Sequence, residues 1–174
     1  LVNRILNQDR MIVSDIAGTT RDAVDSYVEN KHGNFIFIDT AGIRKKNKIS
    51  ENIERYSVMR AKMAIERADV VLIMIDANEG VTEQDTKIAG LAHDSGKACI
   101  ITVNKWDAVE KDDKTMKNME EDIYNKLKFM KYAPCVFLSA KTGLKVDKLF
   151  DVILYVKEQN SMRITTGVLN DILA

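Results

Sequence analysis

Six consecutive apolar residues, Val70-Val71-Leu72-Ile73-Met74-Ile75, form an unbroken β-branched and aliphatic run. A strand of that kind has no polar face to turn to water, so it must be covered on both sides. Residues 98–103 repeat the pattern, and residues 135–138 give a third, shorter run. Between the runs lie stretches of helical spacing. Residues 51–67 place Ile53, Val58, Met59, Met63 and Ile65 at helical intervals. Residues 82–95 end at Gly96 as a C-cap, residues 114–130 carry Met116, Met119, Ile123, Leu127 and Met130, and residues 146–158 close the series. Upstream, residues 26–30 and 34–38 read as two strands joined through Lys31-His32-Gly33, an antiparallel hairpin. Leu1, Val2, Ile5 and Leu6 follow an amphipathic stripe, a helix already under way at the first residue. Strand and helix in alternation predict an α/β domain with a mostly parallel sheet and helices on both faces. Met59, Met63, Met116, Met119 and Met130 fall on apolar stripes and are expected in the core.

Composition removes several alternatives. Lys plus Arg and Asp plus Glu both number 26, so the formal net charge is zero and gives no overall electrostatic case for a membrane or DNA partner. The longest apolar run is far below the roughly 20 residues that span a bilayer. No secretory signal precedes it, and a cytoplasmic location is expected. Cys99 and Cys135 both lie inside apolar runs and read as buried reduced thiols rather than a disulfide or metal site.

In a parallel sheet, ligands gather where the carboxyl ends of strands meet loops. After Ile38 comes Asp39-Thr40-Ala41-Gly42. Asp39 either closes the strand in an Asx-type turn or holds magnesium through its water shell, and Gly42 lets backbone approach a phosphate. After Val103 comes Asn104-Lys105-Trp106-Asp107. A carboxylate here can accept two parallel hydrogen bonds from the donor pair at N1 and N2 of guanine, which adenine lacks. The Lys105 stem can lie along the purine while its ammonium stays wet. After Leu138 comes Ser139-Ala140-Lys141, where a backbone amide could reach the guanine oxygen. Upstream, Ser14-Asp15-Ile16-Ala17-Gly18-Thr19-Thr20-Arg21-Asp22 is either a polar connection or a loop whose Thr hydroxyl and amides coordinate magnesium and sense a γ-phosphate.

Thr19-Thr20, Asp-Thr-Ala-Gly, Asn-Lys-x-Asp and Ser-Ala-Lys, in that order, resemble the motif series of the Ras-like GTPases over residues 1 to about 158. The first of these segments is similar to the first switch of the TrmE–Era–EngA group. Asp39-Thr40-Ala41-Gly42-Ile43-Arg44-Lys45-Lys46, with Glu54-Arg55-Tyr56-Ser57-Val58 after it, resembles the second GTPase domain of the EngA (Der) family. Residues 162–173 resemble the linker and first helix of that family's KH-like domain. The resemblance implies a Ras-like three-layer P-loop GTPase fold, with a GTPase domain over 1–158 and the start of a KH-like domain over 159–174. It implies a switch that binds GTP and GDP with magnesium, hydrolyses GTP, and acts with ribosomal RNA in assembly of the large ribosomal subunit. Carried over by motif, Thr20 and Gly42 are the candidate catalytic residues and Thr20 and Asp39 the magnesium ligands. Asn104, Lys105, Asp107, Ser139, Ala140, Lys141, Thr19 and Asp39 are the nucleotide-binding set.

The sequence departs from the pattern in two places. No Gly-x-x-x-x-Gly-Lys-Ser/Thr phosphate loop is present; in the family it directly precedes the residues matched by Leu1-Val2-Asn3-Arg4. The natural protein is therefore expected to carry that loop and the strand feeding it, and the 174 residues alone to bind GTP poorly. Ile43 stands where Ras-like enzymes place the water-orienting Gln. For the TrmE–Era–EngA group the resemblance implies a potassium ion, held partly by the first-switch loop, in place of an arginine finger. Arg21 reads as an internal finger or as an ordinary surface arginine. Arg44, Lys45, Lys46 and Lys48 form either a solvated basic loop or a contact to a phosphate backbone. Two rivals stay open: another TrmE/Era-group GTPase, and a nucleotide-independent RNA- or protein-binding module on a degenerate G domain.

Overall fold

The computed structural model describes residues 1–8, 24–39 and 51–162. Its elements are α1 (Val2–Gln8), β1 (Val24–Asn30), β2 (Gly33–Asp39), α2 (Glu51–Arg67), β3 (Val70–Asp76), α3 (Glu83–Asp94), β4 (Ala98–Asn104), α4 (Thr115–Lys126), β5 (Cys135–Phe137) and α5 (Val146–Ser161). β3, β4 and β5 form a parallel sheet with β4 in the middle. Its register runs Val70 opposite Ala98 to Asp76 opposite Asn104, and Ile101 opposite Cys135. β1 and β2 pair antiparallel from Val24 opposite Asp39 to Asn30 opposite Gly33. Gly33 takes φ +126° at the turn, where a side chain would be strained. Among the described residues no ladder joins the hairpin to the parallel sheet.

Side chains make the connection instead. Odd-numbered residues of β4, Cys99, Ile101 and Val103, face α3 and α4 with Ile73, Ile75, Ala89, Ala92, Ile123, Leu127 and Met130. Even-numbered Ala98 and Ile100 face α5 with Leu138, Leu149, Ile153 and Val156. Phe35 and Phe37 of β2 pack on that second cluster beside Val70 and Leu72 of β3, so the hairpin and the sheet share one apolar layer. Phe150 of α5 meets Phe35 edge-on at 4.9 Å, and His32 stacks on Phe150 at 5.5 Å. Around it Lys31 Nζ lies 2.8 Å from Asp147, while the two His32 ring nitrogens lie 3.0 and 3.2 Å from Asp147 and Asp151. Lys31 first, then His32, hold the Asp147 carboxyl below the ordinary carboxylate range. α1 completes this side, with Ile5 buried against Val28, Val146 and Phe150. The result is three layers, helix on sheet on helix.

The helices differ from their sequence reading where packing decides. Residues 114–130 do not form one helix. α4 ends at Lys126, Leu127 leaves helical geometry at φ −108° and ψ 55°, and Lys128–Met130 tightens into a 3-10 turn. Leu127, Met130 and Ala133 are all buried, and spacing of three suits a 3-10 turn. Met59 and Met63 are 61% and 48% exposed, not core. The buried stripe of α2 is Ala61, Ala64 and Ile65; at about 100° per residue, both methionines lie on the opposite side. Met116, in the first turn of α4, is also exposed, whereas Met130 is fully buried. α3 starts with a capping box in which Thr82 accepts from the Asp85 backbone and Asp85 from the Thr82 backbone. It is followed by Gly96 at φ +64°, the expected cap. Both cysteines are free thiols, Cys99 buried and Cys135 half-buried; burial raises both, Cys135 to about 12. Among the described residues no helix is long and apolar enough to cross a membrane.

Thr102 is the one polar residue inside β4, fully buried, and its hydroxyl has no partner among the described residues. A buried unpaired hydroxyl costs about 1–3 kcal/mol. Thr102→Val, nearly the same shape, is expected to raise the unfolding free energy by about 1 kcal/mol in urea titration. A loss of stability would show that the hydroxyl is satisfied.

Candidate functional site

β4 delivers its last residue, Asn104, to the same level as Asp76 at the end of β3. The chain then turns sharply. Lys105 sits in the left-handed region at φ 63° and ψ 29°, a conformation costing a non-glycine residue on the order of 1–3 kcal/mol. The turn places Trp106 in the core, edge-on to Phe137 at 4.7 Å, with its N–H donated to Leu138 O at 3.1 Å. Burying the indole secures the strained turn and leaves Asp107 on the outer side of the 3-10 turn Trp106–Ala108.

The loop after β5 is bound to this turn. The Ala140 N–H donates to Asn104 Oδ1 at 3.0 Å, and Leu138 N–H donates to Val103 O at 2.9 Å. Ser139 is fully buried, and its Oγ accepts from Thr142 N–H at 3.0 Å. A hydrogen bond from the Ser139 side chain, aided by the Lys141 and Lys111 ammonium groups, holds the Asp107 carboxyl below the ordinary carboxylate range. Arg4 of α1 reaches in as well, donating to Thr142 O at 3.0 Å. Asn104, Lys105, Asp107, Ser139, Ala140 and Lys141, from two loops 30 residues or more apart in sequence, thus occupy one corner at the carboxyl end of the sheet. Thr19, Thr20 and Gly42 lie outside the described residues, as do Ile43, Arg21 and the basic run 44–48. Asp39 is placed by its backbone at the end of β2.

Asp76 was not among the candidates read from sequence, yet it belongs to this corner. It is a buried carboxylate that forms an ion pair with Lys105 Nζ, while Oδ1 accepts from Asn78 N–H at 3.0 Å. Burial alone would raise its pKa, but the Lys105 and Asn78 hydrogen bonds prevail and lower it from its ordinary 3.8. The pair fixes the direction of the Lys105 stem across the face of the site. The only sequence signal was position: Asp76 follows the apolar run as Asp39 and Asn104 follow theirs. Among the described residues no group of three or more His, Cys, Asp or Glu could hold a metal ion.

Comparison with known proteins places this corner in a family. Residues 1–105 match the model of the 50S ribosome-binding GTPase family. The chain is 61% identical to GTPase Der of Acetivibrio thermocellus over 173 residues, 99% of this chain and 39% of that protein. It is 58% identical to GTPase Der of Caldicellulosiruptor saccharolyticus, covering 100% of this chain and 40% of the relative. The chain thus spans about two fifths of the length of the curated relatives it matches. Among solved structures it resembles Aquifex aeolicus Era in complex with GDP and aluminium fluoride, with TM-score 0.68 and 32% identity over 89% of this chain and 51% of that one. An Era complex with MgGDPNP and nucleotides 1506–1542 of 16S ribosomal RNA matches equally well, again over 89% of this chain and 51% of that one.

The Asp76–Lys105 pair has a pH signature. Because the folded pKa of Asp76 lies below its unfolded value, the stabilisation is present above the unfolded value and is lost as pH falls through the folded one. Asp76→Asn is expected to cost about 1–3 kcal/mol near neutral pH, the range for hydrogen bonds to a charged group. It should also flatten the fall of stability with acid below about pH 4. Urea titrations of both proteins at pH 7 and pH 3.5 check this; parallel acid dependences would remove the ion pair from the account.

Proposed function

The chain belongs to the 50S ribosome-binding GTPase family, and we propose that it forms part of a cytoplasmic switch that hydrolyses GTP to GDP and phosphate in large-subunit assembly, with ribosomal RNA as partner. The carrying observation is the corner at the carboxyl ends of β4 and β5. An ionised Asp107, held by Ser139, faces outward where a base can reach it. Its two oxygens accept from N1–H and N2–H of guanine; adenine offers no such pair, and would leave the carboxylate unpaired. Lys105, directed by Asp76, lays its stem along the purine. Asn104 acts through its bond to Ala140, keeping the second loop against the first. Ser139 positions Asp107, and Lys141 adds positive charge beside it.

Thr20 and Asp39 are proposed to hold magnesium, whose preference for hard oxygen ligands a hydroxyl and a carboxylate satisfy. When bound, that ion offsets phosphate charge. Thr19 and Gly42 are proposed to meet the γ-phosphate through backbone. Ile43 has no group with which to orient water. A potassium ion at the first-switch loop is proposed on the resemblance to the TrmE–Era–EngA group alone. Residues 1–158 are proposed as the GTPase domain and 159–174 as the start of a KH-like domain; α5 itself continues to Ser161.

A fluorescent guanine nucleotide titrated into this chain, and into one extended upstream through a Gly-x-x-x-x-Gly-Lys-Ser/Thr loop, tests the reading. The extended chain is expected to bind. In it, Asp107→Asn is expected to weaken guanine about a hundredfold and favour xanthine nucleotides, since two hydrogen bonds to a charged group are lost. Binding by neither chain, or unchanged base selectivity, would overturn it.

A further inference from the structure

Residues 123–146 contain five lysines and no Asp or Glu, in a chain whose charges balance overall. The densest part is Lys126-Leu127-Lys128-Phe129-Met130-Lys131-Tyr132. The 3-10 turn fixes what this segment shows to water. Leu127, Met130 and Ala133 go into the core, so Lys126, Lys128, Phe129, Lys131 and Tyr132 are exposed. Every exposed residue from 126 to 132 is therefore a lysine or an aromatic. Phe129 is 37% and Tyr132 56% exposed. Neither ring is loose. His93, at the end of α3, lies 5.5 Å from the Phe129 ring and 5.7 Å from the Tyr132 ring, and its Nδ1 is hydrogen-bonded to the Tyr132 hydroxyl at 3.1 Å. Lys126 is partly occupied by Asp122 at 2.9 Å. Lys128 and Lys131 form no ion pair among the described residues.

We propose that this turn is a binding surface for single-stranded RNA, with Phe129, Tyr132 and His93 as a stacking platform and Lys128 and Lys131 as phosphate contacts. Cations interleaved with exposed rings match a polyanion whose bases are unpaired, because stacking needs a free base face and the lysines need the backbone beside it. A duplex hides its base faces and would use only the lysines. A lipid surface would favour aliphatic side chains that penetrate; none is exposed from 126 to 132. The surface adjoins the start of β4, since Tyr132 contacts Cys99, whereas the guanine corner is at its far end. At about 3.3 Å per residue the two are about 20 Å apart, so both can be occupied together. The inference rests on the ribosomal reading above only in naming the polyanion as RNA.

Fluorescence anisotropy with a labelled 12-nucleotide oligouridine, the same length of RNA duplex, and phosphatidylserine vesicles as competitor tests it on the whole chain. Single-stranded RNA is expected to bind at least tenfold tighter than duplex, with vesicles competing weakly. Phe129→Ala and Tyr132→Ala should each lose about tenfold, the order of one stacked base. Lys128→Gln with Lys131→Gln should lower the slope of log K against log salt by about one unit. Circular dichroism establishes that each variant is folded; if Phe129→Ala is not, Phe129→Leu, which keeps apolar bulk but no ring, replaces it with the same expected loss. Equal affinity for duplex, unchanged binding by the folded variants, or displacement by vesicles would overturn the proposal. Cosedimentation with 50S subunits separates the two readings: wild-type association that persists while oligouridine does not bind ends this inference and leaves the ribosomal one standing. Oligouridine binding without subunit association does the reverse.

Discussion

A strand buried on both faces has no slack, and β4 is buried on both faces from Ala98 to Val103. Its residues pack into two separate apolar clusters and hydrogen-bond to a parallel neighbour on each side. The end of such a strand is placed as firmly as its middle. Asn104 therefore emerges at a fixed point, and the left-handed turn at Lys105 is tolerated because Trp106 is buried immediately afterwards. Strain of on the order of 1–3 kcal/mol is offset by the burial of a large aromatic ring. What remains exposed, Asp107, inherits its position from the core rather than from the loop that carries it.

The hairpin is held by different means. β1 and β2 share no ladder with the parallel sheet among the described residues, so their position depends on Phe35 and Phe37 against α5 and on the tip residues Lys31 and His32 against Asp147 and Asp151. Contacts of this kind are directional at one end and apolar along the length. β2 therefore has a defined distance from α5, and with it so does Asp39, the last residue of the strand. The guanine corner and the proposed phosphate-sensing residues are thus referred to one helix, α5, by two routes: β4 through its even-numbered side chains, and the hairpin through its aromatic ones.

Much of this was legible in sequence because long-range order had a local signature. The runs 70–75 and 98–103 announced buried strands, and the polar residues directly after them marked the site end. Gly96 and the hairpin turn were readable from single residues. Three things were not. The break after Lys126 answers to burial of Leu127, Met130 and Ala133, and helical spacing of the methionines masked it. Met59 and Met63 keep helical spacing on the wrong side of α2, since spacing shows that a stripe exists but not which stripe faces the core. Asp76 and His32 act through partners 29 and 115 residues away, and only the fold brings those together.

The neutral net charge also carries less information than its value suggests. Twenty-six positive and 26 negative groups would be uninformative if mixed, but residues 123–146 hold lysine alone. That stretch runs from the end of α4 through β5 to the loop that holds Ala140, so it borders both ends of the sheet. At the carboxyl end its lysines surround an ionised Asp107; Lys141 contributes to keeping that carboxyl charged. At the amino end no carboxylate of the same segment meets them, and aromatic rings stand exposed instead. Long-range screening at physiological salt, about 8 Å, keeps the two ends electrostatically separate across a strand roughly 20 Å long. One lysine-rich segment can therefore present a neutralised, base-selective corner at one end and an uncompensated cationic surface at the other.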